Sequence, residues 1–205
     1  MNLEILISFV VAVFALAISP GPDNIFVLVQ SLRFGKKYGF ATVLGLMTGC
    51  LIHTALVAFG VSLLIVRHEF LFTALKFFGA GYLLYLAYKV YQSPGMIDLS
   101  SAKSSPKTPF QLFQQGFVMN VLNPKVSLFF LALFPGFLFS DRFSKTYQFI
   151  ILGGVFILVS LVVFSSIALL SGFLKRYIEG HKNAGKFLKW LQIIVFVGIA
   201  IFILF

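Results

Sequence analysis

Acidic side chains are scarce in this sequence: six Asp and Glu in 205 residues, against sixteen Lys and Arg. Charge of either sign makes up 11% of the chain, where a soluble domain carries about 25%. That shortfall excludes an ordinary water-soluble protein. Cys50 is the single cysteine, which excludes intramolecular disulfides and dithiol redox chemistry. Hydrolysis inside a membrane needs a nucleophile with a base, a pair of carboxylates or a metal motif. The apolar segments hold one carboxylate, Asp23, and Ser19 has no evident base, so the chain is not read as an enzyme. The stretch GHKNAGKF (180–187) approaches a phosphate-binding loop, but Phe187 stands where a hydroxyl is required and no strand surrounds it. Nucleotide binding is excluded on that ground, and no cofactor is expected.

What the chain has in abundance is apolar length. Residues 40–66 and 148–174 each run 27 positions without Asp, Glu, Lys or Arg. About 20 apolar residues cross the ~30 Å hydrocarbon layer, so both are transmembrane candidates. Residues 70–91 and 188–205 add two more. Two further segments are interrupted, 5–18 with 24–32 and 110–122 with 126–140. At 1.5 Å per residue each half covers roughly 20 Å or less, too short to span alone. Joined across its break, each pair is long enough. The expected fold is an all-α integral membrane protein of six transmembrane helices, the first and fourth broken at proline motifs. The chain starts MNLE, acidic where a signal peptide is basic, so its first residues read as half of a membrane helix.

The basic residues set the expected direction. Eleven of the sixteen fall in or beside loops 1–2, 3–4 and 5–6: Arg33, Lys36, Lys37, Lys89, Lys103, Lys107, Lys175, Arg176, Lys182, Lys186 and Lys189. Arg67, Lys76, Arg142 and Lys145 lie on the other side, and Lys125 lies within a span. The positive-inside rule makes the rich side cytoplasmic and leaves both termini outside. The net charge of +10 then faces the inner membrane surface rather than nucleic acid. The polar stretch QSPGMIDLSSAKSSPKTP reads as a linker, residues 92–109, between three-helix halves 1–91 and 110–205. A shift of 104 places Pro20 on Pro124, Gly49 on Gly153 and Ser62 on Ser166; a shift of 113 places Leu75-Lys76-Phe77 on Leu188-Lys189-Trp190. Each half has an odd number of spans and opens with a broken helix, so the second enters inverted. Inverted repeats with matched breaks point to a secondary transporter with its site at their interface.

Each break carries a charge. LAISPGPDNIFVL (16–28) sets Pro20, Gly21 and Pro22 beside Asp23; the second break sets Pro124 beside Lys125. Proline removes a donor and clashes with the preceding turn, and opened backbone within lipid must line a protein-enclosed or wet cavity. Facing each other, the breaks would form a polar site. Asp23 would hold an ammonium or carry a proton. Lys125 would hold a carboxylate, helped by the amides that start the following half-helix. Asn24, Asn120 and Asn123 would complete the hydrogen bonds. That set suits a zwitterion such as an amino acid. The plainer reading is that Asp23 and Lys125 pair and lock the halves together.

Other features have plainer readings too. Cys50 and His53, three apart, would make a thin metal site with Asp23 and motivate a metal-cation exporter as the alternative. They read more simply as packing partners, with His53 also a possible proton relay. Tyr82, Tyr85, Tyr88 and Tyr91 recur every three residues, a packing or interfacial stripe from which Tyr85 is a candidate for the pathway. Gly45 and Gly49 form a GxxxG pair that permits close helix contact, read as within one subunit; a homo-oligomer is left open.

SPGPDN (19–24), NVLNPKVSLFF (120–130) and LKFFGAGYLLYLAY (75–88) together resemble the LysE/RhtB-type amino-acid exporters. The resemblance runs over essentially the whole chain in length, span count and motif order. It implies export of amino acids or their derivatives across a bacterial inner membrane, coupled to protons. The family's Pro-Gly-Pro maps onto Pro20, Gly21 and Pro22, and its Asn-Pro-Lys onto Asn123, Pro124 and Lys125.

Overall fold

A computed structural model describes residues 2–61, 69–93, 107–181 and 183–204. Ser62, Arg67, His68, Lys103, Lys182 and most of the linker, residues 94–106, lie outside that set. The described residues form helices and no strands.

Helix α1, Leu3–Ile18, starts on the side chain of Asn2, which accepts from the Glu4 amide at 3.1 Å. It ends because Pro20 forces Ser19 into extended backbone (φ −60°, ψ 118°). Helix α2, Pro22–Phe34, begins with Pro22 at its first position, where the missing N–H costs nothing. The two halves meet at 59°. Gly35, at φ +97°, turns the chain tightly into α3, Lys36–Ala55, which continues as wider π turns over Leu56–Val61. Helix α4 is Glu69–Gln92.

Helix α5, Pro109–Val121, opens on a capping box between Thr108 and Gln111. It stops at Leu122, and Asn123 caps the short α6, Pro124–Leu128. Loosened turns follow: π geometry over Phe129–Leu133, then 3-10 over Phe134–Phe137. This second broken helix bends by 47°. Helix α7 is Lys145–Leu169, the short α8 is Ser171–Gly180, and α9 is Ala184–Leu204.

Among the described residues, Lys36–Gly60, Lys145–Leu169 and Ala184–Leu204 are long and apolar enough to cross a membrane, and each bent pair taken as one span raises the number to five. The sixth expected segment, residues 70–91, forms α4, whose 24 residues rise about 36 Å.

The packing explains why the glycines are where they are. Helices α3 and α5 run against each other so closely that a Cβ on Gly45 would strike the Phe113 carbonyl, and one on Gly116 the Thr42 carbonyl. A Cβ on Gly49 would sit 2.6 Å from Asn120 Oδ1. The GxxxG pair therefore serves contact within the chain. Helix α2 packs on α3 and α7, and α4 packs on α9. A core of aromatic rings fills one end: Phe130 stacks on Phe134 at 4.2 Å, and Phe9 meets Phe134 edge-on at 5.1 Å. At that end the buried Gln148 accepts from the Phe139 and Ser140 amides and donates to the Ser140 and Phe143 carbonyls, fixing the turn before α7. With α2 and α5 both packed on α3, and α1 and α2 on α7, the two breaks face a common space.

Candidate functional site

Each break orphans backbone groups, and the site is built from what satisfies them. Where α1 stops, the Ala17 carbonyl loses its helical donor. Asn24 Nδ2 donates to it at 2.7 Å. The Ser19 carbonyl accepts from Lys125 Nζ at 2.9 Å, from the other broken helix. Asn123 works in both directions: its Oδ1 accepts from the Lys125 amide at 3.0 Å, and its Nδ2 donates to Asp23 Oδ2 at 2.8 Å. Asn120 lies one turn earlier. Its carbonyl accepts from His53 Nε2 at 3.2 Å, which sets the ring's proton on that nitrogen, and its Oδ1 accepts from Cys50 Sγ at 3.6 Å.

Asp23, Asn24, Asn120, Asn123 and Lys125 thus converge, all at most 9% exposed, and border one cavity together with Gly21. Lys125 also points its ammonium at the ring of Phe196 on α9, 5.6 Å from the centroid. Among the described contacts the two charges do not bond each other; Asn123 stands between them. In place of a direct Asp23–Lys125 pair, the plainer reading of the sequence, the described contacts show two separate ones, each crossing from one broken helix to the other. A buried charge needs a partner or water, and a second oxygen of Asp23 and further protons of Lys125 remain for one.

The helix-end amides are distributed differently from the sequence expectation. The start of α6, expected to help a carboxylate, is capped by Asn123. The start of α2 carries no side-chain cap, so the partial positive charge of a helix N-terminus is available there. A Cβ on Gly21 would come 3.8 Å from Lys125 Nζ, which places the ammonium beside that same helix start.

The cavity has a volume of about 20 Å³, room for about one water. An amino acid does not fit without the walls moving apart. Most of its other walls are apolar, among them Met47, Phe156 and Phe164.

Tyr85 is not brought to this cavity. It is 47% exposed on α4, packed on Tyr82 and beneath Lys89, and period-three tyrosines here follow an outer helix face. His53 lies behind Asn120 rather than on the cavity wall. Cys50 and His53 both turn to Asn120, and among the described residues no three His, Cys, Asp or Glu side chains gather as a metal site. Two polar residues were not read from the sequence as part of the site. Ser160 of α7 borders the cavity and is 1% exposed; the sign available was a hydroxyl near the middle of a charge-free segment. Ser19 Oγ is buried without a hydrogen-bond partner, inside the motif already singled out.

A protein from Bacillus subtilis described as "Uncharacterized membrane protein YrhP" is 32% identical over 204 residues, 96% of each chain. The "Homoserine/homoserine lactone efflux protein" of Salmonella typhimurium is 33% identical over 168 residues, 82% of this chain and 81% of its own. The "Leucine efflux protein" of an Enterobacter species is 28% identical over 193 residues, 94% of this chain and 92% of its own. No solved structure matches. The model of the family described as "LysE type translocator" matches residues 14–205, which takes in both breaks and every residue that borders the cavity. This protein belongs to the LysE type translocator family.

Proposed function

We propose that this protein exports amino acids or amino-acid derivatives from the cytoplasm, as a secondary active transporter driven by the proton gradient. One observation carries the reading: Asp23 and Lys125, buried on two different broken helices, border the same cavity without bonding each other. Opposite charges held apart suit a zwitterion, with the substrate ammonium at Asp23 and its carboxylate at Lys125 and the open start of α2. Asp23 releases its proton or the amine in turn. Asn24, Asn120 and Asn123 hold the backbone of the two breaks, and His53 orients Asn120. The efflux proteins among the relatives support this substrate class, and a translocator family is not an enzyme family.

In this reading the helices make six spans, arranged as inverted halves 1–91 and 110–205 joined by linker 92–109. Both termini lie outside a bacterial inner membrane. The small volume of the central cavity is that of a closed state, and alternating access opens it to one side at a time. The partners are the substrate, protons and lipid.

The test is an efflux screen of labelled amino acids in cells that overproduce the protein, with and without an uncoupler. Faster efflux of particular amino acids, abolished by the uncoupler, is the expected result. Efflux of none of the panel overturns the substrate class, and efflux indifferent to the uncoupler overturns proton coupling.

A further inference from the structure

Two larger cavities lie at opposite ends of the α4–α9 pair. One, about 410 Å³, is bounded by Pro20, Gly21 and Pro22 of the first break, by Ser93 beyond α4, and by Lys189 and Gln192 near the start of α9. The other, about 240 Å³, is bounded by Lys76 in the first half of α4, by Leu133, Pro135 and Gly136 beyond the second break, and by Phe202 near the end of α9. Exchanging α4 with α9, and the first broken helix with the second, pairs the elements of one lining with those of the other, the second broken helix contributing residues beyond its break rather than at it. The sequence carries the same exchange, since Leu75-Lys76-Phe77 resembles Leu188-Lys189-Trp190. So the two lysines occupy matched positions, each in its own cavity.

The cavities differ in depth. The first reaches Gly21, which also borders the central cavity. The second stops at 133–136. Beyond it, Phe134 stacks on Phe130, which meets Phe156 at 4.7 Å, and Phe156 is a wall of the central cavity. Backbone closes one passage and packed rings close the other.

Each lysine has donor capacity to spare. Lys189 Nζ gives one hydrogen bond, to the Ser93 carbonyl at 2.7 Å, and lies 5.4 Å from the centre of the Tyr91 ring. Lys76 is half-buried in an otherwise apolar helix face. A cation on a cleft wall concentrates anions there, and charged groups on membrane helices mark pathways.

We propose that Lys189 and Lys76 receive the substrate carboxylate at the two mouths of the pathway, Lys189 at the cytoplasmic mouth and Lys76 at the external one. This rests on the transport reading above. A lysine that merely anchors its helix at the membrane surface would be indifferent to the substrate's carboxylate.

The test uses reconstituted protein of one orientation, with homoserine and homoserine lactone as probes. Both carry the amine, and only the first carries a carboxylate. Lys189→Gln should raise the half-saturating concentration of homoserine at the cytoplasmic face about tenfold, the order of one charge-assisted contact, and that of the lactone less than about twofold. Lys76→Gln should do the same at the external face. Equal shifts for the two probes, or both effects at one face, overturn the proposal. A second measurement needs no transport. In a Cys50→Ala background, Gln192→Cys should react with impermeant thiol reagents from the cytoplasmic face only, and Gly136→Cys from the external face only. The preference of Gln192→Cys for an anionic over a cationic reagent should fall several-fold when Lys189→Gln is added. An unchanged preference, or reaction of both cysteines from one face, overturns the mouths. If the parent protein carries no amino acid, the transport reading fails separately.

Discussion

Lys125 Nζ donates to the carbonyl oxygen of Ser19 at 2.9 Å, across 106 residues of chain. A buried lysine therefore completes the end of a helix in the other half of the sequence, while its charge stays unmatched by any direct bond to Asp23. In the proposed mechanism this contact holds the closed arrangement and is exchanged for a substrate carboxylate. The ammonium also lies beside Gly21, 3.8 Å from where a Cβ would stand, an ordinary van der Waals distance.

Lys125→Met should therefore act in two ways. Substrates with a free carboxylate should lose about 10- to 100-fold in transport efficiency, the value of one charge-assisted hydrogen bond, and the matching lactone or amide should lose much less. The Ser19 carbonyl, left unsatisfied, should lower stability by about 1–3 kcal/mol, partly offset because a buried charge is gone. Paired efflux assays on acid and lactone, with a thermal melt in detergent, separate the two effects. Equal loss for both substrate types would assign Lys125 to structure alone.

Asp23→Asn keeps the shape and the Asn123 contact through the remaining carbonyl oxygen, and removes the charge. Efflux driven by a proton gradient should fall by at least about tenfold while the protein inserts and accumulates normally. Efflux into vesicles with an imposed pH gradient measures the first, and quantification in purified membranes the second. Undiminished proton-driven efflux would take Asp23 out of the mechanism.

Much of this architecture is legible in the sequence because a membrane leaves few choices. Proline at positions 20, 22 and 124 must interrupt a helix, and interrupted backbone in lipid must be enclosed. The convergence of Asp23, Asn24, Asn120, Asn123 and Lys125 follows from that constraint. What the sequence hides is which group answers which. Hydrogen-bond partners depend on rotation about each helix axis, and a shift of one residue turns a side chain by about 100°. That is why Asn123 rather than Lys125 meets Asp23, why Tyr85 faces outward, and why Ser160 escaped notice. The loosened turns after Leu128 were equally hidden, because residues 129–134 are as apolar as any regular helix.

Asn123 performs two tasks that substitution can separate. Aspartate is as good a cap as asparagine, so Asn123→Asp should keep the start of α6 but set a second carboxylate against Asp23. Serine also caps but reaches less far, and should lose only the Asp23 contact. Asn123→Asp should depress efflux more than Asn123→Ser, although both caps hold. Side-by-side efflux rates, corrected for the amount of protein in the membrane, test this order. The reverse order would show that a side chain long enough to reach Asp23, and not the charge at the cavity, is what transport requires.

The α3–α5 contact makes the last prediction. At Gly45 an added methyl group would meet the Phe113 backbone, which cannot swing aside as a flexible side chain would. Gly45→Ala should cost about 1–3 kcal/mol as overpacking, and Gly116→Ala about the same against the Thr42 carbonyl. Gly154 lies in the middle of α7 with nothing within 4 Å of its added Cβ. There alanine meets no neighbour and should be neutral or stabilising by up to about 1 kcal/mol, because it fixes the helix better than glycine. Melting temperatures of the three variants in one detergent make the comparison, with Gly154→Ala as the control for helix propensity. Because α5 carries Asn120 at its end, the same close approach also holds Asn120 against Cys50 and His53. Gly45→Ala should accordingly slow transport even at temperatures where it stays folded, and Gly154→Ala should not. Equal behaviour of Gly45→Ala and Gly154→Ala would mean that the contact between α3 and α5 is looser than a glycine requires.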